Sequence, residues 1–159
     1  MKKNNYFNFL FIGCMALLFA SCDSNRVYEV NTELPGATWE QANILKFDVD
    51  LPDTAKRFNF FINVRNDETY PYSNLYIFLT THFPDKRISK DTLELLLADE
   101  NGNWYGKGSG ERKFNQILLK KKIKFPVAGK YSFQLEQGMR MQELPGITDA
   151  GIRIEYFDE

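Results

Sequence analysis

Cysteine and histidine are almost missing from this chain: two Cys and one His in 159 residues. Zinc sites built from those two residue types are excluded by number. A Ser-His-Asp triad would have to use His82, and no Gly-x-Ser-x-Gly elbow flanks any serine. His82 shares a strand face with Tyr76 and Phe78, where packing accounts for it. Gly106, Gly108 and Gly110 have G-x-G-x-G spacing but precede no helical pattern, so they are loop residues rather than a phosphate cradle. There is no EF-hand spacing, and Asp48, Asp50 and Asp53 suit a solvated strand end better than a cation site. Basic residues are not in excess either: 20 Lys and Arg face 21 Asp and Glu, which argues against a nucleic-acid partner. No metal, cofactor or catalytic residue is expected. A hydrolase using two carboxylates is the one enzyme class that composition leaves open.

A long apolar run is also lacking, with one short exception at the N-terminus. Lys2 and Lys3 precede an apolar stretch from Tyr6 to Ala20, interrupted by Asn8 and Gly13. That stretch is too short to cross a bilayer, which takes roughly 20 apolar residues. A positive head, a short apolar core and the small residues Ala20 and Ser21 make a secretory signal. Cys22 follows directly. Cleavage between Ser21 and Cys22 resembles processing at a bacterial lipobox, which implies a diacylglycerol on the Cys22 thiol. Each buried CH₂ contributes about 0.8 kcal/mol, so two or more acyl chains hold a protein stably. The expected division is a signal peptide over 1–21, a lipidated tether and first strand over 22–31, and one folded domain over 32–159. Removing residues 1–21 of 159 leaves 138, enough for one core. Cys14 leaves with the signal, so no disulfide forms within the mature chain.

No helical stripe of useful length follows; Thr38 with Gln41 suits one capped turn at most. Period-2 alternation dominates instead. A first strand is expected around Val27 to Val30. Leu45, Phe47 and Val49 alternate with polar residues, as do Phe58, Phe60, Ile62 and Val64, then Tyr131, Phe133 and Leu135, then Ile152, Ile154 and Tyr156. Leu75 to Phe83 is apolar on both faces and reads as a central strand covered on both sides. Thr92 to Ala98 reads as a strand entering a tight turn at Asn101-Gly102, with a return strand at Trp104 and Tyr105. Over 114–125 the alternation breaks at Lys121, which marks an edge or a bulge. The expectation is a single antiparallel β-sandwich of about eight strands, jelly-roll-like or Ig-like.

Chemistry then has to reside in surfaces. Trp39, Tyr70, Tyr72 and Trp104 fall in or near predicted loops, where large aromatics serve as interface anchors, as glycan platforms, or as lids on the sandwich. Lys120 to Lys122 reads as a solvated edge, with contact to anionic head groups as the alternative.

Two stretches carry a family resemblance. One is Arg65-Asn66 followed by Tyr70-Pro71-Tyr72-Ser73-Asn74-Leu75-Tyr76-Ile77-Phe78. The other is Gly138-Met139-Arg140, Leu144-Pro145-Gly146-Ile147, Asp149 and Gly151-Ile152-Arg153-Ile154-Glu155. With the lipoprotein signal, Asp91-Thr92-Leu93 and Gly102-Asn103-Trp104-Tyr105-Gly106, the chain resembles the GldH gliding motility lipoproteins of Bacteroidetes. The resemblance implies a non-enzymatic envelope protein, lipid-anchored in the outer membrane. Its implied role is in surface gliding, which is linked to type IX secretion, through contact with other envelope proteins; a carbohydrate-binding surface lipoprotein is the alternative. On physical grounds Pro71 holds Tyr70 extended, and Gly146 and Gly151 suit backbone conformations that other residues resist.

Overall fold

The computed structural model describes residues 23–108 and 110–157. The leader, the Ser21–Cys22 cleavage site and the Cys22 thiol lie outside that range. The strands are β1 (Arg26–Glu33), β2 (Thr38–Glu40), β3 (Leu45–Leu51), β4 (Phe58–Asn66), β5 (Asn74–His82), β6 (Ile88–Leu96), β7 (Lys113–Ile123), β8 (Gly129–Gln137), β9 (Glu143–Pro145) and β10 (Ile147–Tyr156).

Their pairing is nested. β5 pairs with β6, β4 with β7, β3 with β8, β2 with β9 and β1 with β10, every pair antiparallel. The chain is therefore one long hairpin closed at the β5–β6 turn. Rolling it up adds β10 against β4 and β8 against β5, which gives two four-stranded sheets, β1-β10-β4-β7 and β3-β8-β5-β6. That wrapping is a jelly roll. The eight long strands cover the expected segments, although β6 runs Ile88–Leu96 rather than the expected Thr92 to Ala98; the three-residue β2 and β9 form a separate ribbon.

Side-chain alternation explains the layers. β3 alternates buried and exposed residues at all seven positions. Phe58, Phe60, Ile62 and Val64 of β4 meet Tyr131, Phe133 and Leu135 of β8 in the shared core. Phe125, between β7 and β8, sits edge-on to Phe58 at 5.4 Å and to Tyr131 at 5.0 Å. A jigsaw of rings takes the place of any cross-link.

Local expectations fared unevenly. The capped turn expected at Thr38 and Gln41 does not form: a 3₁₀ turn precedes it at Pro35–Ala37 and Thr38 already begins β2. The Gln41 amide bonds the carbonyl of Gln142 instead, at 2.8 Å. The Asn101-Gly102 turn is present, closed by the Asp99 carboxylate on the amides of Asn101 and Asn103, both at 2.8 Å. The return strand there shrinks to one bridge between Ala98 and Trp104. β7 carries the expected irregularity: its register against β4 shifts near Phe60, and Lys122 takes a φ of 62°. β5 is bonded on both edges, yet its outer face is only partly covered, since Tyr76 stays exposed.

The N-terminal segment is not slack. The Arg153 guanidinium binds the carboxylates of Asp23, Glu29 at 2.7 Å and Glu155 at 2.9 Å. The Arg26 amide bonds the Asp23 carbonyl at 3.3 Å, and the Tyr156 amide bonds that of Asn25 at 2.8 Å. The hydrogen bond from Arg153 holds the Asp23 carboxyl below the usual carboxylate range. A depressed acid contributes stability above its ordinary pKa and loses it as pH falls through the lower folded value. The Arg153–Asp23 pair thus contributes at neutral pH and is weakened as the pH falls.

Gly151 is required for space rather than for a positive φ. A Cβ there would lie 2.1 Å from the Val30 carbonyl oxygen and 2.7 Å from the Asn31 Cα. Gly146 has both reasons, with φ 81° and a Cβ position 2.3 Å from the Tyr70 amide nitrogen. Gly151→Ala should therefore force β1 off β10 and cost about 2–3 kcal/mol. A urea unfolding midpoint unchanged from wild type would contradict this packing.

Candidate functional site

The four aromatics singled out from the sequence divide. Trp39 is 0% exposed on β2, its Nε1 donating to the Asn43 carbonyl at 2.9 Å. It lids the core, because the β2–β9 ribbon folds over that end and pairs it with Leu144. Tyr70 is buried as well, its hydroxyl donating to the Asn74 carbonyl at 2.6 Å, and burial pushes that hydroxyl's pKa up. Neither presents a surface for a partner or a sugar. Tyr72 is 38% exposed and Trp104 is half-buried. Tyr70 joins these two, meeting Tyr72 edge-on at 5.9 Å and Trp104 at 6.4 Å.

Tyr72 leads to residues that sequence reasoning passed over. Its hydroxyl lies 3.3 Å from the Met141 sulfur, and the Met139 sulfur lies 3.3 Å from the Tyr76 amide. Tyr76, also 38% exposed, shares the outer face of β5 with Asn74, whose partner on β6 is Leu96, 59% exposed. Tyr72, Tyr76, Leu96, Met139 and Met141 thus form a patch of aromatic and thioether groups. Glu94 borders it, bonded by the Asn74 amide at 2.6 Å. Methionine packs against many shapes, which suits a surface that receives a partner. The segment Gly138 to Gln142 is held in place because Gln137 donates to the Met141 carbonyl at 2.7 Å and the Gly138 amide bonds the Tyr76 carbonyl at 2.7 Å.

From Leu96 the patch turns the corner into a cavity of about 290 Å³ bounded by Tyr105, Lys107, Phe114 and Ile117. A second opening of about 180 Å³ lies toward the other end of β6 and β7, among Leu79, Phe83, Leu119, Ile123 and Phe125, with Asp91, Lys120 and Lys124 also lining it. β6 and β7 are edge strands of opposite sheets. Ile88 and Leu96 at the two ends of β6 are both exposed. An edge strand of this kind offers unpaired backbone groups beside apolar side chains.

Among the described residues, no group of three or more His, Cys, Asp or Glu is placed to hold a metal ion. Asp149 is the outlying buried carboxylate: burial raises its pKa, opposed by Arg65 Nη1 at 3.0 Å, and Glu33 sits opposite on β1. It shares the outer face of its sheet with Arg65, its partner on β4, whereas Asn66 and Asn115, which bond each other at 2.9 Å, lie on the core-facing side with Val64; Asp149 lines neither opening. No helix among the described residues is long and apolar enough to cross a membrane.

The two tryptophans give a direct check. With Trp104→Phe, the remaining Trp39 should emit at short wavelength and resist acrylamide quenching; with Trp39→Phe, Trp104 should be quenched several-fold more. Equal quenching of the two would refute the burial difference.

Comparison with known proteins supplies a family. Residues 26–154 match the family model described as GldH lipoprotein. The chain is 38% identical over 157 residues to a gliding motility lipoprotein GldH homolog of Christiangramia forsetii, covering 94% of this chain and 95% of that protein. It is 33% identical over 150 residues to the gliding motility lipoprotein GldH of Flavobacterium johnsoniae, covering 90% and 92%.

Proposed function

The chain belongs to the GldH lipoprotein family, and from that premise we propose that it is a lipid-anchored component of the gliding and type IX secretion apparatus that works by docking other envelope proteins, without catalysis. Cys22, freed by cleavage after Ser21, carries the lipid, and the outer membrane is the membrane that holds it. Three supports converge on this reading: the family, a leader that ends at a cysteine, and an exposed surface without grouped catalytic side chains. The observation that carries the docking role is the Tyr72–Tyr76–Leu96–Met139–Met141 patch, which lies at the end of the sandwich opposite Asp23. There it faces away from the anchor, toward whatever the protein meets. A glycan-binding role is weaker, because burial removes Trp39 and Tyr70 from any sugar platform.

Mass spectrometry of the mature protein should find acyl chains on Cys22; a free thiol there would refute the anchor. A photo-crosslinking residue at position 96 should capture defined envelope proteins in cells. The exposed double variant Tyr72→Glu/Tyr76→Glu should fold normally yet lose those adducts, with gliding or secretion reduced. Undiminished adducts and wild-type motility in that variant would remove the patch from the mechanism.

A further inference from the structure

Charge divides the sandwich lengthwise in a way that follows from its topology. The β3–β4, β5–β6 and β7–β8 turns gather at one end, because Leu51 pairs with Gly129, His82 with Ile88, and Phe58 with Ile123. The same end receives the N-terminal segment and the finish of β10, since Arg26 pairs with Glu155 and Phe58 with Tyr156. This anchor end is basic. The first turn brings Lys56 and Arg57, the second Lys86 and Arg87, and the bulged finish of β7 brings Lys121, Lys122 and Lys124, all exposed. Opposing them are Asp23, Asp50, Asp53, Asp85 and Glu155, with Asp158 and Glu159 following Phe157 in the sequence, while Arg26 and Lys130 add to the basic side. Asp23 is paired with Arg153, and Asp85 with Arg87. The far end reverses the sign. Its turns carry Asp67, Glu68, Asp99, Glu100 and Glu111 against Lys107, Arg112 and Arg140.

Three of the basic side chains are held in place. Lys56 Nζ lies 4.2 Å from the Tyr156 ring centroid, and Lys121 and Lys122 lie 5.9 and 4.9 Å from that of Phe157. The positive charges therefore share the end at which the chain enters the fold, beside Tyr156 and Phe157. That point has no slack. Residue 22 is one peptide from Asp23, about 3.8 Å between Cα atoms, and Asp23 is clamped by Arg153. A lipid at residue 22 would bring this end, and no other, into the head-group layer.

We infer that the anchor end is a membrane-contacting face, in which lysines and arginines from three turns bind anionic lipid head groups and hold the domain upright on the bilayer. The inference rests on the lipidated-Cys22 reading and adds a fixed orientation to it. Net charge near zero over the whole chain is no obstacle, because a surface potential acts only within about a Debye length, roughly 8–10 Å.

The test uses the mature lipoprotein purified from membranes and reconstituted into vesicles of phosphatidylcholine alone, or with about one third phosphatidylglycerol. Amine acetylation read by mass spectrometry should be suppressed at least several-fold at Lys56, Lys121, Lys122 and Lys124 in the anionic vesicles, with Lys107 unaffected. High salt should restore the reactivity. The variant Lys121→Glu/Lys122→Glu/Lys124→Glu should lose the protection at Lys56, whereas the far-end control Lys107→Glu/Arg112→Glu should keep it. Equal reactivity at both ends, or protection indifferent to head-group charge, would overturn the orientation. The intact mass of the same sample reports lipidation separately. A lipidated protein with unprotected lysines would thus sink the membrane face while leaving the anchor standing. If the N-terminus is unmodified, the same assay on the unlipidated chain, pelleted with anionic vesicles, decides whether the basic end binds them; no difference from neutral vesicles overturns it.

Discussion

Strand β1 has a single strand partner, and it is the last strand of the chain. Register runs from Arg26 opposite Glu155 to Glu33 opposite Asp149, so every contact in that pair closes a loop of more than a hundred residues. The same closure sets β10 against β4, because β10 lies between β1 and β4. Such non-local pairing is slow to form and gains nothing until the whole chain is available. It also explains why the two ends of the described chain meet: Asp23 and Asn25 are bonded to the finish of β10.

The sandwich itself was legible from alternation. Strands such as β3 and β8 bury alternate residues because one face meets the opposite sheet, and seven consecutive residues of alternating polarity leave few other readings. The bulge in β7 was legible too, since Lys121 falls where an apolar residue belongs. β2 and β9 were not, because three residues carry no period. The jelly-roll order was equally hidden, as pairing partners are chosen by the geometry of rolling and no residue type announces them.

The site was read less well, for one recurring reason. A large aromatic near a predicted turn is ambiguous between lid and anchor, and only the path of the backbone decides. Trp39 became a lid because the β2–β9 ribbon, invisible in the sequence, folds across the end of the core. Tyr70 became one because Gly146 admits its backbone at a distance no Cβ would permit. Tyr72 stayed outside. Its companions Tyr76, Leu96, Met139 and Met141 come from three separate segments that only the fold brings together.

The clamp on Asp23 has a mechanical meaning. A lipoprotein on a long flexible leader drifts over its membrane like a buoy and samples partners at many heights. Here the ten residues of β10, at about 3.3 Å each, set a rigid span of roughly 30 Å between the end that holds Asp23 and the opposite end of the sandwich. Such a molecule is a short post. On the anchoring proposed above, a partner docked at that far end would have to stand within that distance of the bilayer, and so belong to the integral membrane proteins or to others anchored as closely.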